Sequence, residues 1–296
     1  MLDIGDEDSS HPLFYLPFTK RHYPLSELEQ NAKHVLYPFI TGWHPKLFEL
    51  AGTDFKRITE LKRKIVGRLK ETWILVENYE KASYYQGLMH FQEQYQYPLR
   101  IFTLNYDLCV ERACSKAKIE RGFNETRMLD VRRFEDDQDQ TVDLLLYKVH
   151  GSIDWKKDKY GSLTFSDEAG SVSVRELEII FGTSQKLQYA DPYLFIIHEF
   201  RKYCRKAKLI LVIGYSFGDD HINGIMTQAL SQDSDRRIVS VAPSQDGEKL
   251  KQYIADKLSV LPTQVEVVLE TAKTFMEQTL HLDYLEKFVP LEESIF

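Results

Sequence analysis

From residue 99 onward the apolar positions gather into short blocks separated by polar stretches. LRIFTL (99–104), LLLYKV (144–149), LEIIF (177–181), LILVIG (209–214), RIVSVA (237–242) and VEVVLE (265–270) are each five or six residues long, mostly aliphatic or β-branched. Several are apolar at consecutive positions, the pattern of parallel strands buried on both faces rather than of half-exposed hairpins. Stretches with helical spacing follow several of them, at 105–117, 191–207, 219–232 and 271–288. Strands alternating with helices predict an α/β fold: a Rossmann-like parallel sheet with flanking helices.

The stretch 24–97 reads differently. It is strand-poor and repeats apolar residues at three- and four-residue intervals behind a Pro24 and Ser26 start signal, which predicts helices. The expected organisation is a mainly helical layer or subdomain over 1–98 and a Rossmann-like core over 99–296. Two polar intervals interrupt the core. The charged insertion at 123–140 has few apolar anchors and is expected to be mobile or a partner-contact surface. The interval 155–168 reads as a surface hairpin with Gly161 at its turn.

Charge and cysteine usage narrow the classes. The 296 residues carry 38 Lys+Arg against 45 Asp+Glu, a net charge of −7. That balance disfavours direct nucleic-acid binding, whose phosphate contacts need a concentrated basic excess. The basic stretch 56–70 therefore reads first as a solvated helix face. With 43% hydrophobic and 28% charged residues, the chain can bury a sizeable core. Cys109, Cys114 and Cys204 form neither a disulfide framework nor a CxxC pair, so no metal is expected. The apolar blocks fall far short of the ~18 residues of a membrane span. The acidic start lacks the blocks of a signal peptide, so a soluble, cytoplasmic protein without membrane partners is expected.

In a parallel α/β sheet ligands bind beyond the carboxyl ends of the strands. Those ends read Thr103-Leu104-Asn105-Tyr106-Asp107, His150-Gly151-Ser152, Gly214-Tyr215-Ser216-Phe217-Gly218-Asp219-Asp220-His221 and Ala242-Pro243-Ser244. Small, amide, hydroxyl and imidazole groups stand there instead of Lys and Glu. Gly214 and Ser216 leave room for backbone and hydroxyl donors to approach a phosphate. Each group also has a structural reading: His150-Gly151 as a turn, Gly214 as a strand-to-helix turn, Asp219 or Asp220 as a helix cap. Asn105 is equally suited to cap a helix beginning at Tyr106. The ordered conjunction carries more weight than any member.

That conjunction resembles the sirtuin family. TLNYD (103–107) is similar to its Thr-x-Asn-x-Asp motif, YKVHGS (147–152) to its strand ending in His-Gly, and AKLILVIGYS (207–216) to the strand ending in a Gly-Thr-Ser loop. The wording is closest to the sirtuin-like domains of bacterial antiphage defence proteins, with NYD, HGS and IGYSF-x-D-x-H-I at 213–222. Gly182-Thr183-Ser184 matches the family's Phe-Gly-Glu segment better by position. Two departures stand out. The four cysteines of the deacylases' zinc module are absent, since no cysteine falls between Cys114 and Cys204. The opening Gly-Ala-Gly-x-Ser loop has no counterpart around Gly5, so the chain is expected either to lack its first strand or to depart from the fold there.

The resemblance implies NAD as substrate, with no metal. NAD cleavage at the nicotinamide–ribose bond passes through an oxocarbenium-like centre. Asn105 is suited to position a water and the ribose hydroxyls, and His150 to accept a ribose hydroxyl proton. Asp107 could orient nicotinamide. Thr103, Asn105, Asp107, Gly151, Gly214, Tyr215, Ser216 and His221 are the expected NAD contacts. The first functional expectation is an NAD glycohydrolase that depletes NAD in antiphage defence. An NAD-dependent protein deacylase and a non-catalytic nucleotide- or partner-binding subunit are the alternatives. Expected partners are a second copy of the chain, or a defence protein such as an ATPase or an Argonaute-like protein.

Overall fold

A computed structural model describes residues 13–16, 21–24, 63–64, 66–134, 141–180 and 191–289. The strands in chain order are β1 (Leu13–Leu16), β2 (Arg21–Pro24), β3 (Leu99–Thr103), β4 (Ile119–Glu120), β5 (Leu144–Lys148) and β6 (Gly151–Lys157). β7 (Leu163–Phe165), β8 (Leu177–Ile179), β9 (Leu209–Ile213), β10 (Arg237–Val241) and β11 (Val265–Val268) follow. The principal helices are α1 (Gly87–Tyr95), α2 (Cys109–Ala113), α3 (Tyr193–Lys206), α4 (Asp220–Ser231), α5 (Gly247–Leu258) and α6 (Leu282–Glu286). The chain divides into two compact units that interleave along the sequence. One draws on Met1–Leu75, Asn105–Asp107 and His150–Tyr189, the other on Val76–Leu104, Leu108–Val149 and Ala190–Phe296.

The second unit holds the parallel strands. β5 runs between β3 and β4, and β10 between β9 and β11, with every pairing parallel. The reason lies in the blocks themselves. Leu144 and Leu146 of β5 point into a core that also takes Leu88, Val110, Val239, Val241, Val268 and Phe275, so both sheets share it. On the opposite face Tyr147 stacks between Phe102 and Phe134, with ring centroids 4.4 and 4.3 Å away. Every residue of β5 is buried. Burying one such Leu or aromatic side chain contributes about 1.5–3 kcal/mol, which fixes the strand's place in the sheet. β3 and β9 lie at the edges of their three-stranded sheets and are only half-buried, less than their apolar runs predict.

The described strands of the first unit pair antiparallel. β6 pairs with β7 on one side and β8 on the other, and β1 pairs with β2. The predicted hairpin is the β6–β7 connection: the Asp158 carboxylate accepts from the backbone N–H groups of Tyr160 and Ser162, and Gly161 sits at φ +85°. The block at 177–181 departs from expectation. It contributes β8, half-buried and paired antiparallel with β6, because an apolar run sets burial and not the direction of its partner strand. In the same unit the buried Lys70 donates its ammonium to the carbonyls of Gly170 and Val172. Desolvation holds that amine below its ordinary pKa.

One further expectation is corrected and two are refined. The helix predicted over 105–117 is confined to α2, because the Tyr106 carbonyl accepts from Ile153 N–H at 2.8 Å and holds 105–107 out of helical geometry. Asn105 therefore caps no helix there; position 108 precedes α2 without a side-chain cap. The stretch 271–288, expected as helical, is so in three pieces, Ala272–Thr274, Phe275–Thr279 and α6. The insertion at 123–140 is anchored over its described part, 123–134. Phe123 bridges Leu129, Arg133 pairs with Glu120 at 2.8 Å, and Phe134 is 2% exposed. Residues 135–140 lie outside the described residues.

Candidate functional site

The first unit supplies Asn105, Asp107, His150 and Gly151. Asn105 is exposed and Asp107 half-buried, two positions beyond the end of β3 and four beyond it respectively. Tyr106 between them is fixed at both ends. Its hydroxyl donates to the Ile180 carbonyl at 2.5 Å, and its own carbonyl receives Ile153 N–H. The half-buried His150 ring stands 6.4 Å from the Tyr106 ring, centroid to centroid. The His150 carbonyl accepts from Ile180 N–H at 2.8 Å. Ile180 thus ties the segment after β3 to the segment after β5, bringing the Asn105–Asp107 stretch and His150 into one framework. Gly151 makes the turn possible: its φ of +87° lies in the region that only glycine enters without strain. It opens β6 immediately after the imidazole.

The second unit supplies Thr103, Gly214, Tyr215, Ser216 and His221. Thr103 ends β3, and its carbonyl accepts from Val149 N–H. Between β9 and α4 the chain alternates. Gly214, Ser216 and Gly218 are exposed, whereas Tyr215 is half-buried and Phe217 and Asp219 are buried. Gly214 has φ +68° with open space where a Cβ would stand, and a Cβ at Gly218 would come within 3.4 Å of the Ser216 hydroxyl. Asp219 caps α4, accepting from the N–H groups of His221 and Ile222. That takes two of the helix's first free donors. His221 is exposed on the first turn of α4. Burial pushes the Tyr215 phenol well above its ordinary pKa, so it stays a neutral hydrogen-bonding group at physiological pH. Phe217 holds φ +55° with its ring 1% exposed. A left-handed backbone at a bulky residue costs about 1–2 kcal/mol and persists only where neighbours enforce it.

The outward row of Gly214, Ser216 and Gly218 combines backbone access with a hydroxyl, the chemistry that suits a phosphate or ribose. Asn105 and His150 combine an amide and an imidazole on a braced framework, the chemistry that suits water positioning and proton transfer. Residues 99–261 match the SIR2-like domain, which covers more than half of the 296 residues.

The chain belongs to the SIR2-like domain family.

The matched span begins on the first residue of β3 and ends three residues beyond α5, so it contains every site residue the sequence predicts. SIR2-like domains are typically NAD-dependent enzymes, and an NAD-related activity follows for this chain. No curated protein matches the chain. Gly182-Thr183-Ser184 lies outside the described residues. No helix among the described residues is long and apolar enough to cross a membrane.

Sequence reasoning passed over three residues of this SIR2-like domain. Tyr106 lies inside the Thr-x-Asn-x-Asp stretch but drew no role. Asn223 stands one position past the quoted motif, four residues after the Asp219 cap, the spacing that returns a helical side chain to the same face. Tyr253, on α5, donates its hydroxyl to the Ser216 carbonyl at 3.2 Å. No local pattern in the sequence signals that contact.

Proposed function

We propose that this SIR2-like domain is an NAD glycohydrolase that cleaves the nicotinamide–ribose bond to give nicotinamide and ADP-ribose. Asn105 positions the attacking water and the ribose hydroxyls, and an amide does so without trapping the cationic centre as a carboxylate nucleophile would. As the C1′–N bond breaks and the water oxygen bonds C1′, His150 takes a proton from a ribose hydroxyl, and that hydroxyl takes the attacking water's proton. The imidazolium returns one proton to solvent while nicotinamide leaves neutral. Thr103, Asp107, Gly151, Gly214, Tyr215, Ser216 and His221 contact NAD, with the 214–218 loop taking the phosphate and ribose groups. One observation favours hydrolysis over deacylation. The stretch after His150-Gly151 folds as the antiparallel β6–β8 sheet and carries no cysteine, where the deacylases of the resembled family carry a four-cysteine zinc module. Depletion of NAD in antiphage defence is the biological role we assign, on the likeness of 213–222 to the sirtuin-like domains of bacterial defence proteins. In that role the chain acts as a homo-oligomer or beside a defence partner, an ATPase or an Argonaute-like protein.

The test is nicotinamide release from NAD by the purified chain, alone and with the product of its genomic neighbour, in the presence and absence of an acyl-lysine peptide. Release without peptide supports hydrolysis. Release only with peptide replaces it with deacylation, and no release under any condition leaves a binding subunit.

A further inference from the structure

We infer that Asn223 is the positioning residue of the NAD-binding loop, holding its outward row of Gly214, Ser216 and Gly218 in the geometry that receives the dinucleotide. The inference rests on the NAD reading of that loop and adds a residue which that reading does not use. The loop alternates in and out, and Asn223 collects what points inward. Its side-chain N–H donates to the Phe217 carbonyl at 2.8 Å, and its side-chain oxygen accepts from the Tyr215 hydroxyl at 3.0 Å. The same hydroxyl oxygen accepts from Asp219 N–H at 3.0 Å. A single amide, 4% exposed, therefore couples all three inward residues, Tyr215 and Asp219 through the phenol and Phe217 directly.

The need for such a hub is visible in the backbone. Gly214 at φ +68° and Phe217 at φ +55° both adopt left-handed conformations, one on either side of Ser216. Glycine holds its conformation freely, but Phe217 does not, and the bond from Asn223 falls on the Phe217 carbonyl itself. From α5 the Tyr253 hydroxyl donates to the Ser216 carbonyl, so that carbonyl is held while the Ser216 side chain stays exposed. Asparagine is the residue this geometry asks for, because the site needs one donor and one acceptor from a single short side chain. A leucine of similar volume offers neither. An aspartate keeps the acceptor for Tyr215 and sets a second carboxylate oxygen against the Phe217 carbonyl.

The experiment compares the full chain with Asn223→Leu and Asn223→Asp in NAD titration calorimetry, steady-state nicotinamide release and hydrogen exchange of the 214–219 amides. Asn223→Leu should raise the Kd and KM for NAD about tenfold or more, with kcat at saturating NAD within about threefold of the parent, because the chemistry sits on other residues. Exchange at 214–219 should quicken in the absence of NAD. Asn223→Asp should also raise KM, since it loses the donor to Phe217. If Asn223→Leu does not fold, the near-isosteric Asn223→Asp carries the test, since it keeps the acceptor for Tyr215 and loses only the donor to Phe217. A folded Asn223→Leu or Asn223→Asp chain with the parent's Kd and KM overturns the inference while leaving the proposed hydrolase standing. A parent chain that binds no NAD overturns the hydrolase reading and the inference together.

Discussion

Phe134 stacks on Tyr147 with ring centroids 4.3 Å apart and planes 21° from parallel, and Phe195 stacks on Phe134 in turn at 5.8 Å. The contact closes one face of β5, the strand that leads into His150. Replacing Phe134 by Ala empties a site whose occupant is 2% exposed, and should cost about 3–5 kcal/mol. The measurement is the urea midpoint of the full chain, with Phe134→Leu expected to recover more than half of the loss. A cost below about 1 kcal/mol would mean that the described part of the insertion is not packed as found.

Gly151 and Gly161 separate backbone strain from function, since both have φ near +85° and only Gly151 adjoins the imidazole. Either glycine replaced by alanine should lose about 1–2 kcal/mol of stability from the left-handed backbone alone. At Gly161 nothing lies within 4 Å of the added methyl, so nicotinamide release should be unchanged. At Gly151 the turn that carries His150 must adjust, and release should fall at least tenfold. Equal activity in the two variants would remove Gly151 from the site.

The thiols give a pH signature. Burial pushes the Cys204 thiol up to about 12 and, with help from the Glu111 carboxylate, the Cys114 thiol up to about 11. At pH 8 this leaves only ~10⁻⁴ of the Cys204 thiol and ~10⁻³ of the Cys114 thiol ionised, so neither should react appreciably with iodoacetamide in the folded chain. Cys109, half-buried, should be labelled first, and all three in urea. In the unfolded chain the thiols ionise from about pH 8.5, where the folded chain still keeps its protons. The unfolded state then binds fewer protons, so stability should fall as pH rises from about 8.5 toward 11. Mass spectrometry of the labelled protein checks the first claim and denaturation across that range the second.

The sequence made the parallel strands legible where burial acts on every side chain. LLLYK of β5 needs both faces covered, and no other environment suits it. The same logic misassigned the 177–181 block, because an apolar run reports burial and not the direction of its partner strand. The helix expected over 105–117 failed for a tertiary reason: the Ile153 N–H claims the Tyr106 carbonyl, and that competitor lies 47 residues away in sequence. At the site, the ordered small and polar residues after each strand were readable one by one. The inward half of the 214–219 loop was not, since Asn223 on a helix reads as an ordinary polar position until its two bonds are seen.

The catalytic assignment makes the sharpest forecast. Asn105 is exposed and His150 half-buried, so truncating either to Ala opens no large cavity, and the melting temperature should stay within about 3 °C of the parent. If these groups position water and accept the ribose proton, each alanine variant should lose ~10²–10⁴-fold in kcat for nicotinamide release. Ser216→Ala should behave differently: its hydroxyl is assigned to binding, so KM for NAD should rise with kcat nearly unchanged. The competing structural reading makes the opposite forecast at His150. There it serves the turn into β6 through its backbone carbonyl, which accepts from Ile180 N–H whatever the side chain. On that reading His150→Ala leaves activity intact. Steady-state kinetics on the three variants, beside their melting curves, decides between the two. An active parent whose Asn105→Ala and His150→Ala variants both keep full rate would show that the chemistry lies on other residues.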